Sequence, residues 1–330
     1  MLFVGRTNLT IHLMPTKRSH KKLILLGVLA TIAAIWVIGD YVHSRRVNAA
    51  FKNYEAGIER TADGVQKGAE SFTLPGNDIA LLLVHGFNDT PQTFGPMIPA
   101  FRDQGYTIAG LRLPGFGVAV EHMHTCRSDD WVQAVEDRAR ELNQSGKRVY
   151  VVGHSLGGAV CLAVLRRAPE CVAGAVLLAP AIDVSNQRSP IFPTRFWRKL
   201  GNSLLIFSNV YHSPYDRNDC RDPEYKNPDY KSPFSTRNIV DQSFRLMDQN
   251  QPAADSIRTP LLMVLSRNDQ VTDWSQAEQY FSRLGSVDKE LLFYDDSGHA
   301  LTVDGDRENI AKDIIQFITT QTMVAEPSSQ

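Results

Sequence analysis

Short apolar runs recur along this chain, and helical periodicity fills the spaces between them. Ile79–Val84 (IALLLV), Val149–Val152, Ala175–Ala179, Leu261–Ser266 and Glu290–Tyr294 are rich in β-branched, leucine or aromatic residues; Tyr106–Leu113 joins them and stops at Pro114-Gly115. A regular alternation begins at Phe72. Short runs of this kind predict strands, and the wholly apolar Ile79–Val84 predicts one covered on both faces. Thr90-Pro91 is a helix start followed by Phe94, Ile98 and Phe101, with Pro96 and Pro99 making that helix short or kinked. Ser128-Asp129-Asp130 opens a longer helix whose Trp131, Val135, Ala139 and Leu142 share one face, with the acidic residues at the favourable end of its dipole. A last helix, near Arg307–Thr319, buries Ile310, Ile314, Phe317 and Ile318. Strands alternating with helices predict an α/β fold with a mostly parallel sheet and helices on both faces. No internal repeat is visible.

Two segments break the rhythm. From Asp183 to about Ala254 the chain is rich in Pro, Asn, Asp and aromatics, with a helix predicted near Thr194–Phe207. That is too long for a simple loop, so an insertion over the carboxyl edge of the sheet is expected, where ligands bind in such folds. The second segment is Leu23–Gly39, LILLGVLATIAAIWVIG, 17 residues without a charge. As a helix it reaches about 26 Å, the short end of what spans a bilayer. Lys17, Arg18, Lys21 and Lys22 precede it, while Asp40, Arg45 and Arg46 follow. That bias predicts a single-pass signal-anchor with its N-terminus in the cytoplasm and the rest of the chain exported, periplasmic or extracellular. Trp36 and Tyr41 suit the far interface. A cleaved signal peptide and a secreted protein form the rival reading, although no small-x-small cleavage site follows closely. A buried helix of a soluble domain leaves the basic flank unexplained. Met14 is an alternative start. The expected organisation is a basic leader 1–22, a transmembrane helix 23–39, a connector 40–67, a core in two parts (68–182 and 256–320), a lid 183–255 between them, and a flexible tail 321–330.

The 330 residues carry a net charge of −1, with 43% hydrophobic and 22% charged residues. This is an ordinary globular balance with no sign of a nucleic-acid partner, so specificity must sit in a local site. The four cysteines lack a CxxC pattern. Cys161 and Cys171 read as small core residues, and Cys126 and Cys220 are candidates for a disulfide in an oxidising compartment. His122, His124 and Cys126 alternate in EHMHTC. In an extended stretch they would face one way as metal ligands do, but no complementary pair stands elsewhere, so a loop lining the site is expected and no metal.

The chemistry gathers around VYVVGHSLGGAV. A serine between glycines, at a corner where a strand turns into a helix, can be held in a strained turn with its hydroxyl exposed. The helix begins right behind Ser155, so its free N–H groups, Leu156 first, face an oxyanion formed there. A second donor is expected from HGFND, where Gly86 allows close approach and Phe87 offers its N–H. Serine needs a base, and the base needs an orienting acid. His299 in DDSGHALTVD, between the last strand and the final helix, is the best-placed base; His85 more plausibly props its own loop, and His154 adjoins the nucleophile but points away. Asp269 in SRNDQVTD lies three residues past a strand, at the carboxyl end. Asp273, Asp295 and Asp296 compete, but the first suits a helix cap and the other two are too near His299 in sequence.

The series LLLVHGFNDTP, GHSLGG, SRNDQVTD and SGHALTVD, in that order, resembles the α/β-hydrolase superfamily, in the branch of monoglyceride lipases, lysophospholipase-like enzymes and bacterial carboxylesterases. The resemblance covers about Phe72 to Thr319. It implies an eight-stranded sheet with its second strand antiparallel, a lid after the sixth strand, the triad Ser155–Asp269–His299, and Phe87 and Leu156 as oxyanion donors. LPGFGVAV departs from the branch, which commonly has a histidine between those glycines, and this bears on the local loop and the acyl-pocket shape. The expected activity is ester hydrolysis through an acyl-enzyme, with no cofactor. Ile191, Phe192, Phe196, Trp197, Leu204, Leu205, Ile206 and Phe207 in the lid point to monoacyl lipids or medium-chain esters, unless they simply bind the lid to the sheet. An amidase, peptidase or thioesterase would use the same residues, and a non-catalytic binding scaffold is the remaining alternative.

Overall fold

The computed structural model describes residues 17–189, 191–213 and 217–325. Met14, the first part of the basic leader and the end of the tail lie outside them. Seven strands form the main sheet among the described residues: β1 (Phe72–Leu74), β2 (Ile79–Val84), β3 (Thr107–Leu111), β4 (Arg148–His154), β5 (Gly174–Leu178), β8 (Leu261–Ser266) and β9 (Lys289–Tyr294), in the order β1-β3-β2-β4-β5-β8-β9. Only β1, at the edge, runs antiparallel to its neighbour. Between β5 and β8, the strands β6 (Val210–His212) and β7 (Phe234–Thr236) pair as a separate hairpin.

The helices are α1 (Lys17–Ala56), α2 (Ile98–Asp103), α3 (Val120–Thr125), α4 (Ser128–Gln144), α5 (Leu156–Arg167), α6 (Thr194–Leu204), α7 (Arg237–Asn250), α8 (Trp274–Arg283) and α9 (Arg307–Ala325). Residue alternation along each strand sends neighbours to opposite faces. Thus Leu82, Val84, Val149 and Val151 meet Trp131, Val135 and Tyr280 of α4 and α8, whereas Leu81, Leu83, Tyr150 and Val152 meet Phe94, Phe101, Ile310 and Ile314 on the other side. Both faces are covered, which is why the strands carry no polar alternation.

Several expectations need correction. The sheet has seven strands among the described residues, not eight, and its antiparallel strand is the first rather than the second. Ahead of β1 the chain does not extend along the sheet. It curls through Gly64 and Gly68, both at positive φ, held by an isolated Arg60–Gln66 bridge. The insertion accordingly follows the fifth strand of the sheet, and the predicted helix Thr194–Phe207 ends at Leu204. Its last part, α7, is no cover: Ile239, Phe244, Leu246 and Met247 join the main core. Finally, EHMHTC is not a loop lining the cleft. It forms α3, where Met123 and Cys126 turn inward and His122 and His124 turn to solvent, so the three metal-ligand candidates do not converge. All four cysteines are free and buried; Cys126 packs in the main core and Cys220 against Ala300 and Val303.

The apolar run 23–39 lies inside α1, which continues through much of the expected connector. Leu23, Ile24, Ile35 and Ile38 are exposed, so this run is not a core helix of the described protein.

Candidate active site

β4 delivers the chain to Ser155 at φ 54°, ψ −116°, a conformation that costs an L-residue energy and persists only where the surroundings dictate it. Here they do. Ser155 N–H donates to the Leu178 carbonyl at 2.9 Å, and its own carbonyl accepts from Ala181 N at 2.9 Å and Ala159 N at 3.2 Å. The flanking glycines are obligatory by packing: a Cβ on Gly153 would lie 2.6 Å from the Gly157 carbonyl oxygen and 2.7 Å from Cys161 Sγ, and one on Gly157 would run into the backbone of Val84 and His85. The corner therefore fits the strand beside it only without side chains at these two positions.

The three residues expected to act together come together. His299 Nε2 lies 2.9 Å from Ser155 Oγ, and His299 Nδ1 lies 2.7 Å from Asp269 Oδ2. Because a carboxylate only accepts, Nδ1 carries the proton, which leaves the Nε2 lone pair to receive the serine hydroxyl. Asp269 sits at the carboxyl end of β8, fully buried, and accepts further bonds from Thr272 Oγ1 (2.6 Å), Thr272 N (2.8 Å) and Val271 N (2.7 Å). Burial works to raise its pKa, but the facing His299 and these bonds outweigh it and hold the carboxyl below its usual value. The arrangement can draw a proton from a serine hydroxyl and return it to a leaving group.

The competing residues have other tasks. Asp273 caps α8, accepting from Ser275 N and Gln276 N. Asp295 pairs with Arg267, and Asp296 with Arg221. His85 Nε2 accepts from Leu113 N at 3.0 Å while Nδ1 donates to its neighbour's carbonyl, and burial lowers its pKa to about 4, so it props the loop as a neutral ring. His154 Nε2 donates to the His299 carbonyl at 3.0 Å; burial and the nearby His299 push its pKa down to about 3. It supports the backbone of His299.

Phe87 and Leu156 line the same cleft as Ser155 and His299. Its lining is partly apolar, with Ala181, Val184, Val240, Phe244 and Met247, and partly polar, with Asp89, Arg217, Asn218, Asp219 and Lys231. Burial raises the Asp89 carboxyl to about 6, against the opposing effect of Lys231 and of bonds from Thr90 and Thr93. The polar lining was not anticipated. Nor was Asp304, whose buried carboxylate accepts from Gly298 N (2.7 Å), Arg221 N (2.9 Å) and Asp222 N (3.1 Å) and so ties the His299 loop to the insertion. The signal present was the aspartate ending SGHALTVD, in a segment otherwise apolar enough to be buried.

Comparison with known proteins agrees with this geometry. The family described as serine aminopeptidase, S33, matches residues 76–306. A thermostable monoacylglycerol lipase from Bacillus sp. (strain H-257) is 30% identical over 254 residues, 77% of this chain and 95% of that protein. A carboxylesterase of Bacillus subtilis (strain 168) is 24% identical over 248 residues, 75% of this chain and 95% of the relative. The crystal structure of a monoacylglycerol lipase from Paleococcus ferrophilus superposes with a TM-score of 0.66 at 19% identity, over 76% of this chain and 98% of that one. The chain belongs to the serine aminopeptidase S33 family of α/β-hydrolases, in its monoglyceride lipase and esterase branch, and is a carboxylic-ester hydrolase.

Proposed function

We propose that the protein is a membrane-anchored serine hydrolase that cleaves esters of monoacyl lipids or medium-chain acids through an acyl-enzyme. Ser155 attacks the ester carbonyl while His299 Nε2 takes its proton. The tetrahedral oxyanion is held by the Phe87 and Leu156 N–H groups, a contribution of several kcal/mol in sites of this kind. His299 then protonates the leaving alcohol, the acyl group stays on Ser155, and a water activated by the same imidazole releases the acid. Asp269 holds the ring in the required tautomer and stabilises the imidazolium. The observation that carries this reading is the chain of contacts Ser155 Oγ–His299 Nε2–Asp269, 2.9 and 2.7 Å, at a strained corner on the floor of the cleft.

The cleft also speaks for the substrate class. Its apolar lining on α7, Val240, Phe244 and Met247, suits an acyl chain, and its polar lining, Asp89, Asn218 and Lys231, suits a hydroxylated leaving group. The relative from Bacillus is named for monoacylglycerol. α1 supports the anchor: its apolar run is exposed and long enough to cross a bilayer, with lysines before it, which fits a cytoplasmic N-terminus and an exported catalytic part.

The test is hydrolysis of monoacylglycerols and of p-nitrophenyl esters of graded length by the full chain in detergent, beside Ser155→Ala and beside anilides of the same acids. Ester turnover that vanishes in the variant is expected, together with weak anilide cleavage. Equal or faster anilide cleavage would shift the reading to an amidase, and unlabelled Ser155 after fluorophosphonate treatment would end it.

A further inference from the structure

Beyond Gly39 the anchor helix changes character. Asp40, Ser44, Val47 and Phe51 follow one another at helical spacing and are all buried, forming a stripe pressed against the insertion. Asp40 is placed there for a purpose: Oδ2 accepts from the backbone N–H groups of Ile206 (2.6 Å) and Phe207 (2.8 Å), and Oδ1 accepts from Ser208 Oγ (2.5 Å). Trp36 Nε1 donates to the Leu204 carbonyl at 3.0 Å, meeting one of the carbonyls that the end of α6 leaves without a helical partner. Ser44 Oγ donates to the Phe207 carbonyl at 2.7 Å, and the Tyr41 ring meets that of Phe207 edge-on at 5.4 Å. A carboxylate this buried needs its donors in place, so residues 204–208 and the turn of α1 at Asp40 form one joint.

The helix held by that joint faces the wrong way for a surface helix in water. Its arginines turn inward, Arg195 to Asp183 and Asp248 and Arg198 to Asp241, while Phe192, Phe196 and Trp197 cluster outward with ring centres 4.6 to 5.7 Å apart. Ile191, Leu204 and Ile206 are exposed beside them. At the end of α6 this surface meets α1, where Leu205 shares a hollow with Ile32, Ile35 and Trp36. An apolar face continuous with a span of lipid-exposed helix is suited to the boundary between headgroups and acyl chains.

We infer that α1 and the lid helix α6 form a single membrane-docking unit: Asp40 and Trp36 clamp the end of α6 so that its aromatic face rests in the lipid surface around the anchor. The inference rests on the reading of α1 as a transmembrane helix. It adds that the anchor is a structural part of the cover, and not a tether. Because α7 lines the cleft and is bonded to α6 through Asp241 and Asp248, the clamp also holds that wall of the cleft against the membrane.

The four native cysteines are buried, so a polarity-sensitive fluorophore can be placed on single introduced thiols in the full chain. Phe192→Cys, Val28→Cys and Val287→Cys are reconstituted into phosphatidylcholine vesicles bearing acyl-chain nitroxides. Lipid quenching is expected at Val28→Cys and Phe192→Cys and not at Val287→Cys, which is exposed beside the amino end of β9, at the opposite end of the sheet. Adding Asp40→Ala, or the gentler Trp36→Phe, should remove most of the quenching at Phe192→Cys while leaving that at Val28→Cys. Fluorophosphonate labelling of Ser155 shows that each variant remains folded. Quenching at Val28→Cys without quenching at Phe192→Cys overturns the docking, and undiminished quenching at Phe192→Cys in both Asp40→Ala and Trp36→Phe overturns the clamp. Shielding of Phe192→Cys from aqueous iodide without lipid quenching identifies a protein partner instead and likewise overturns it. An unquenched Val28→Cys refutes the transmembrane reading itself, and the inference with it.

Discussion

Two regions border the cleft and are held by different physics. The corner at Gly153–Gly158 is wholly buried, bonded through backbone groups to β5 and its following turn, and packed so closely that a methyl group does not fit at Gly153. The cover, α6 with β6 and β7, is held by part-exposed ion pairs such as Arg195–Asp248 and by the joint with α1. Strain at Ser155 can persist because the corner is over-determined. α6 itself buries no residue, and segments of that kind open at lower cost than the core. Under the proposed mechanism, the contrast places the chemistry in the rigid region and substrate admission in the compliant one.

Sharpening the contrast begins on the rigid side. Asp269→Asn keeps the shape but allows the wrong tautomer of His299, so kcat should fall by on the order of 10⁴ with little change in KM. Pre-steady-state acylation with a p-nitrophenyl ester checks this; a drop of only a few-fold would mean that Asp269 is a structural group under Thr272. Next comes Gly153→Ala, which forces the corner away from Gly157 and Cys161 and should cost about 3 kcal/mol, near the upper end for an overpacked site. Urea denaturation gives the number, and a cost near zero would show that the corner relaxes as readily as the cover.

The corner was also the more legible region, for a physical reason. A strand, a glycine-serine-glycine turn and a helix are consecutive, so Ser155 could be placed from local pattern alone, and His299 and Asp269 each follow a recognisable strand. Asp40 was not legible. It reads as the first solvated residue after an apolar run, and its role depends on backbone groups more than 160 residues away. Asp89 and Lys231 are brought to one cleft in the same non-local way. α7 was hidden because its apolar positions lie in a segment whose composition reads as loop, and EHMHTC read as loop because the short helix there turns a single residue, Met123, inward, too little to show a period.

At the seam between the two regions, Asp89 gives a pH-dependent test. Its folded pKa, about 6, lies above the usual carboxylate value of 3.8 because burial penalises the charge. Below about pH 4 both folded and unfolded chains hold the proton. Between about 4 and 6 only the unfolded chain releases it, so native stability falls as pH rises through this window. The size is about 3 kcal/mol. Asp89→Asn should flatten that part of the stability profile, measured by urea denaturation from pH 4 to 7, and an unaltered profile would place the charge elsewhere.

The smallest effect is expected in the cover. Arg198 bonds to Asp241 at 2.6 Å and lies 4.5 Å over the ring of Phe244, which lines the cleft. Both charged groups keep partial contact with water, so Arg198→Ala should cost under about 1 kcal/mol of stability. Its effect on substrate should be selective. Phe244 loses the nearer of the two guanidiniums over its ring, Arg195 at 5.2 Å remaining, so turnover of long-chain monoacyl esters should drop a few-fold while a two-carbon ester, too short to reach that wall, is hydrolysed as before. A loss shared equally by both substrates would mean that the cover and the corner move as one body, and the distinction between a rigid chemical region and a compliant one would not hold.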